Sequence, residues 1–352
     1  MGRKNKSYQL NLHQQLYKRF QELESFGKSK HAAKQEDGGG TAEHIYSFGT
    51  RRTYYNIGKR YIEWVEKEKG CTTLKSARKY ANEYMHLREA YILPNGRHLS
   101  AWTLATEAAA LRKIFGISRD DPDYYTPPAR HREDIIHSRG KRKRDTHFSE
   151  SANQFLVDFC KATGLRRSEV AVLRGKDLYS IEDISQKFAS LQKIPEAKRT
   201  AEENAWFRMC MDTRVFLPDS FQYYIYVRNG KGGRKRLVPI IGDDKTIKEI
   251  TDRFQSAEPD RKIFPGGIPS NADIHNYRAE YASTLYRLTA RDITDIPFDR
   301  VNKGNGNHFQ SEVYCMRRDG KGIRCDKKAL KLVSVALGHS RISVVASSYY
   351  RS

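Results

Sequence analysis

The sequence predicts a mainly α fold with a small β-sheet, an α+β protein in more than one domain. Apolar residues recur at helical spacing along most of the chain, from Leu10, Leu16, Phe20 and Leu23 near its start to the pattern that begins at Phe148. Two strand-like runs, Tyr223-Tyr224-Ile225-Tyr226-Val227 and Arg236-Leu237-Val238-Pro239-Ile240, flank Gly230-Lys231-Gly232-Gly233, whose glycines permit a tight hairpin turn. Between Ser118 and Thr146 the periodicity gives way to Asp, Pro and then Arg139-Gly140-Lys141-Arg142-Lys143-Arg144. This stretch reads as an interdomain linker that follows a phosphate backbone, with a solvated charge run or a localisation tag as the alternative.

Taken in order, residues 1–45 are expected to form an N-terminal helix or arm. It is helical from about Ser7 to Ser29 and broken at Gly38-Gly39-Gly40. Residues 46–120 form a helical unit rich in Lys, Arg and Tyr. Its first helix, Thr50 to Lys69, carries Tyr54, Ile57, Tyr61, Ile62 and Val65 on one face and stops at Gly70. The second runs from Thr73, a suitable N-cap, to about Glu89. The third starts after Ser100, carries Leu104, Ala108, Leu111 and Ile114, and ends at Gly116. The basic linker spans 121–147, and 148–352 is the second domain.

Composition narrows the partner. The 352 residues hold 64 Lys+Arg against 42 Asp+Glu, a formal charge of +22, and the sequence pI is about 9.7. A surface that basic favours a polyanion, most often nucleic acid, through counterion release. At 38% hydrophobic the chain has material for a core. Its apolar runs fall far short of a spanning helix, and Met1-Gly2-Arg3-Lys4-Asn5-Lys6 lacks the apolar segment of a signal peptide. Cys71, Cys160, Cys210, Cys315 and Cys325 form no CxxC pair and read as reduced cytosolic thiols.

Residues with chemical potential then appear in a telling order: Arg166, Lys231, His275, Arg278, His339 and Tyr349. No metal-ligand cluster is visible; a metal-free phosphoryl transfer needs side-chain cations around the non-bridging oxygens, and arginine suits that role because its fork matches phosphate bidentately. Arg166 lies near the start of a helix in which Val170 and Leu173 face the core, and Glu169 shares its face and can orient a guanidinium. Arg167 points about 100° away on an ideal helix. A flexible Lys231 at a hairpin tip can reach a leaving 5′ oxygen and protonate it, although by itself it reads as an ordinary basic turn. His275 and Arg278, at i and i+3, project from one helical face. A tyrosine phenol, with an ordinary pKa of about 10, needs cations and hydrogen bonds to act as a nucleophile. Singly these motifs are ordinary; their joint occurrence carries the signal.

The set resembles the tyrosine recombinases, the phage-integrase family. The resemblance rests on Gly164-Leu165-Arg166-Arg167-Ser168-Glu169, Gly230-Lys231-Gly232, His275-Asn276-Tyr277-Arg278, Leu337-Gly338-His339-Ser340 and the terminal Tyr349-Tyr350-Arg351. It covers roughly Phe148 to Ser352, and the basic helical unit before it resembles the family's core-binding domain. It implies a C-shaped clamp on double-stranded DNA, cleavage through a 3′-phosphotyrosine with a free 5′-hydroxyl, and strand exchange in a homotetramer, with neither cofactor nor metal. In these roles Arg166 and Arg278 clamp the phosphate, Lys231 is the general acid, His275 and His339 hydrogen-bond the phosphate or move protons, and Tyr349 attacks. Arg139, Lys141, Arg142, Lys143 and Arg144 are the expected linker contacts to DNA. The expected setting is cytoplasmic and nucleoid-associated, without a membrane, and with an accessory DNA-bending or directionality factor as a further partner. The leading expectation is an integrase of a phage or mobile element. Alternatives are a dimer- or telomere-resolving relative with the same chemistry, and a catalytically silent, architectural DNA-binding protein.

Three departures from the family pattern stand out. Arg166 and Lys231 are unusually far apart, which marks a charged, helical insertion near 181–219. Arg278 and His339 are also widely separated, which marks another near 290–325, where Glu312 to Cys325 reads as a hairpin turning at Asp319-Gly320-Lys321-Gly322. That hairpin offers Tyr314-Cys315-Met316-Arg317 as a rival to His275/Arg278, but the helix expected after Arg278 favours the latter. Tyr349 stands one position further from His339 than is common, leaving Tyr350 as the alternative nucleophile. With few residues after Tyr349, the C-terminal helix that many relatives pass to a neighbour is expected to be missing. Assembly contacts are then expected from the insertions, the N-terminal helices or the helix that carries Tyr349.

Overall fold

Helices dominate both halves of the chain, and side-chain caps visible in the sequence set many of their ends. The computed structural model describes residues 10–28, 33, 44–130, 148–216, 221–231, 233–296, 312–316 and 322–349. The architecture is α+β, mainly helical with small antiparallel sheets. The chain divides into two units, Met1–Asp134 and Ile135–Ser352. Among the described residues no helix is long and apolar enough to cross a membrane.

In the first unit, α1 (Leu12–Leu23) opens with a capping box in which Asn11 and Gln14 each accept the other's backbone N–H. Its face of Leu12, Leu16, Phe20 and Leu23 is buried with Tyr61, Ile62, Leu111 and Ile114. The residues expected as an N-terminal helix or arm thus supply a helix built into the unit's core. Helix α2 (Phe48–Lys69) is capped by Ser47 and closed by Gly70 at φ 62°. It crosses its neighbours closely, since a Cβ on Gly58 would lie 2.8 Å from Ile114 Cδ1. The expected helix from Thr73 to Glu89 is interrupted: α3 (Leu74–Ala77) passes through a 3-10 turn at Arg78–Tyr80 into α4 (Ala81–Ala90). The Tyr61 hydroxyl donates to the Ala77 carbonyl just before that turn, at 2.5 Å. Helix α5 (Ala101–Phe115) runs from the Ser100 cap to Gly116 at φ 65°. Its Glu107, 2% exposed, accepts from Arg60 and Arg88. Of the expected linker, Tyr124 and Tyr125 pack onto this unit, bonded to Arg112 and Glu89 respectively. Residues 131–147, including Arg139, Lys141, Arg142, Lys143 and Arg144, lie outside the described residues.

The second unit begins with α6 (Gln154–Thr163), ended by Gly164 at φ 57°, and the four-residue α7 (Arg167–Val170). A short strand, β1 (Leu178–Ser180), leads into α8 (Ile181–Gln192) and α9 (Ala201–Phe216). Strands β2 (Tyr223–Val227) and β3 (Arg236–Pro239) complete an antiparallel sheet of order β1-β2-β3, with Val227 opposite Arg236 next to the turn. Helices α10 (Asp244–Gln255) and α11 (Ile274–Thr289) follow. The expected hairpin is an antiparallel pair, β4 (Val313–Cys315) and β5 (Arg324–Asp326), although its turn residues 317–321 lie outside the described set. Asp326 caps α12 (Lys327–Ala336), and α13 (Ile342–Ser348) leads to Tyr349.

Within the region near 181–219, residues 181–192 and 201–216 are helical as expected, and both helices contribute to the core. Ile184, Phe188 and Leu191 of α8, with Trp206, Met209 and Cys210 of α9, are buried in the same cluster as β2, β3 and α12. Burying each such large apolar side chain contributes about 2 kcal/mol. Helix α11 lies along α6, and its Tyr281 hydroxyl donates to the Pro239 carbonyl of β3 at 3.0 Å.

Candidate active site

Arg278 is the most telling side chain of the second unit. It is 1% exposed, yet carries a full charge. One terminal nitrogen donates to the Gly164 carbonyl and the other to the Leu337 carbonyl at 2.5 Å. Among the described residues it pairs with no carboxylate, and its Nε is buried without a hydrogen-bond partner. A buried cation held by two carbonyl dipoles and a phenol, with no carboxylate partner among the described residues, is able to receive an anion. Burial pushes its pKa down to about 10, and Arg166 adds to the drop while Tyr349 opposes it. The guanidinium stays charged at neutral pH.

Arg166 reaches the same point from another element. It occupies the N-cap position of α7. One terminal nitrogen donates to Glu169 Oε1 at 2.8 Å and the other to the Leu337 carbonyl at 3.3 Å. Two guanidinium groups therefore meet at one backbone oxygen. Glu169, 2% exposed, orients Arg166 as its position in the motif predicts. Burial favours its neutral form, but hydrogen bonds and charge from Arg236, with help from Arg166, overcome that and hold it down at about 2. Arg167 points elsewhere, as expected, and ties down the loop before α11 by donating to the Ile268, Pro269, Ser270 and Ala272 carbonyls.

His339 follows Gly338, which turns the chain out of α12 at φ 68°. The His339 backbone N–H donates to the Ser334 carbonyl, and Ser334 Oγ donates to the His339 carbonyl. Its Nε2 is buried without a hydrogen-bond partner. Burial, followed by the positive field of Arg278, Arg166, Arg236 and Lys231, lowers the imidazole to about 4. His339 is therefore a neutral imidazole at pH 7.

Tyr349 lies 6% exposed in this cluster. Its ring centre is 5.4 Å from that of His339, 5.6 Å from that of His275, and 5.6 Å from the Arg278 guanidinium carbon. Its hydroxyl and the Arg278 guanidinium interact. The main chain is fixed as well, because Ser283 Oγ on α11 donates to the Tyr349 carbonyl at 3.1 Å. Tyr350 lies outside the described residues.

Of the residues singled out in the sequence, Arg166, His275, Arg278, His339 and Tyr349 come together. His275 is exposed at the rim, whereas Arg278 on the same helix is buried. Lys231 is exposed at the β2–β3 turn and linked to the others through its charge on His339. The base of that turn is close, since a Cβ on Gly230 would lie 3.4 Å from Glu169 Oε1. The rival tyrosine, Tyr314, is paired in β4 opposite Cys325, and Arg317 lies outside the described residues.

Sequence reasoning missed Arg236. It is 3% exposed and bonded to both Glu169 oxygens. The available signal was a charged residue opening an otherwise apolar strand. The Leu337 carbonyl was missed as well, and no side-chain motif marks a backbone acceptor. Among the described residues, no group of three His, Cys, Asp or Glu side chains is placed to hold a metal ion. No protein-family model and no curated protein matches the chain.

Proposed function

We propose that this protein is a tyrosine site-specific recombinase that cuts and rejoins duplex DNA through a 3′-phosphotyrosine link. The observation that carries the reading is the meeting of Arg166 and Arg278 at the Leu337 carbonyl, with Arg278 interacting with the Tyr349 hydroxyl. Two forks with spare donors beside a buried phenol match a phosphodiester whose negative charge grows as a tyrosine attacks.

In this mechanism the Tyr349 oxygen attacks phosphorus as its phenol proton passes to the neutral imidazole of His339, and the bond to the 5′ oxygen breaks. Arg166 and Arg278 hold the non-bridging oxygens. Neutral His339 offers an unpartnered Nε2 to the phosphate or to the moving proton, with His275 at the rim in a similar role. Lys231 protonates the departing 5′ oxygen. Attack by the 5′-hydroxyl of a partner strand reverses these steps and restores the phenol.

The finer architecture follows from the same reading. Residues 46–120 act as a core-binding domain and 148–352 as the catalytic domain of a C-shaped clamp, four copies of which assemble on DNA. The groove lined by Arg52, Asn56, Arg60, Thr103 and Thr106 in the first unit, with Glu107 at its base paired to Arg60, offers cations and hydroxyls to a nucleic-acid backbone.

The test is to incubate the protein, without metal, with nicked duplexes taken from the DNA flanking its own coding sequence. Denaturing gels then detect a protein–DNA adduct, and mass spectrometry maps it. An adduct on Tyr349, absent from Tyr349→Phe, is the expected result. Tight binding with no adduct on any of these duplexes would overturn the enzymatic reading in favour of an architectural DNA-binding protein.

A further inference from the structure

Arg236 is a third guanidinium at the site, and the proposed chemistry gives it no part. It opens β3, a strand whose four residues are all buried. Its Nε donates to the Ala336 carbonyl at 2.8 Å. Its terminal nitrogens donate one to each Glu169 oxygen, at 3.1 Å and 2.8 Å. This two-point geometry is the strongest that a guanidinium and a carboxylate adopt. The chain makes room for it: a Cβ would come within 2.8 Å of Arg236 Nη1 at Gly230 and 3.1 Å at Gly338.

Arg166 meets the same carboxylate differently. Its side chain takes a single point on Oε1 at 2.8 Å, while Oε2 accepts its main-chain N–H at 2.9 Å. Glu169 is three residues further along the same turn, near enough for its carboxylate to take both terminal nitrogens of Arg166 if nothing else held it. A closed pair of that kind would consume the edge of the fork that an anion needs.

We infer that Arg236 is a positioning residue: by occupying both oxygens of Glu169, it keeps that carboxylate from closing on Arg166 and leaves the Arg166 fork open to a phosphate group. The inference rests on the reading that this site takes a phosphodiester. Arg236 touches no reacting atom; it sets how much of Arg166 the substrate meets. It also joins three elements, because the carboxylate belongs to α7, the carbonyl to α12, and Arg236 itself to the hairpin that carries Lys231.

The experiment uses inorganic sulfate as a stand-in for the phosphate and follows the thermal midpoint of the full chain. Only the rise abolished by Arg166→Gln is counted as the site's response. The half-saturating sulfate concentration should increase about tenfold or more in Arg236→Met, because Glu169 now competes for Arg166. In Glu169→Gln/Arg236→Met it should return to within about threefold of the native value, since the competing carboxylate is gone. Arg236→Lys, with one donor point, should fall between. An unchanged response in Arg236→Met, or a double variant as weak as the single, would overturn the inference. If Arg236→Met does not fold, the double variant, which removes both members of the buried Arg236–Glu169 pair, decides alone: a native-like response supports the inference and a tenfold loss overturns it. A native response in Arg166→Gln would instead count against the phosphodiester reading, whatever Arg236 does.

Discussion

At the scale of single residues, the pairing of a neutral imidazole with several guanidiniums governs pH behaviour. His339 in the unfolded chain takes its proton near 6.5 and in the folded protein near 4. Between those values the unfolded state binds more protons, so stability is full above 6.5 and is lost as pH falls through that window. Replacement by Gln should flatten that slope, which thermal unfolding from pH 7 to pH 4 would reveal. A short DNA duplex should raise the imidazole midpoint observed by NMR, because a phosphate offsets the arginine field. At lower pH a second loss is expected as Glu169 is protonated between its ordinary 4.5 and about 2, releasing the Arg236 pair. Arg278→Lys tests the clamp itself. One ammonium cannot serve the Gly164 and Leu337 carbonyls and still present a fork, so adduct formation should fall by about 100-fold or more. Retained DNA affinity in a gel-shift assay would assign that loss to the chemical step.

At the scale of elements, the α6–α7 junction shows how fold and site are tied together. Gly164 adopts φ 57°, and a Cβ there would lie 2.3 Å from the Tyr281 ring. Gly164→Ala should cost about 1–2 kcal/mol from backbone conformation alone, and more from the clash. It should also weaken sulfate binding, because the Gly164 carbonyl holds Arg278. Helices α8 and α9 invite a different prediction. Deleting residues 181–219 should unfold the second unit, as followed by circular dichroism, because Trp206, Met209 and Phe188 belong to its core. Their polar sequence read as a charged insertion, since a charged helix shows its solvent face more plainly than the stripe it buries. Caps such as Thr73 and Ser100, and glycines such as Gly70 and Gly116, were legible because their effect is local, whereas the Ser47 cap, ahead of the expected start at Thr50, was not read. The turn at Arg78–Tyr80 and the three-residue β1 were not, because tertiary contacts rather than periodicity decide them.

At the scale of the whole molecule, the charge of +22 predicts DNA affinity that drops steeply as salt rises. Neutralising Arg52 and Arg60 together should reduce the slope of log affinity against log salt by about 1–2. An unchanged slope would place the phosphate contacts elsewhere. The order of Arg166, Arg278, His339 and Tyr349 along the chain was enough to nominate a site, but their depth was not readable. That Arg278 is buried while His275 on the same helix is exposed emerges only once α6 and α12 close around α11. The bond from Ser283 to the Tyr349 carbonyl carries one more consequence, for the assembly. Ser283 shares α11 with Arg278 and His275, so the proposed clamp and the proposed nucleophile are fastened to one helix of one polypeptide. Each subunit should then cut with its own tyrosine. A mixture of Tyr349→Phe and Arg278→Ala proteins, each inactive alone, should yield no adduct, because neither can lend the other its missing part.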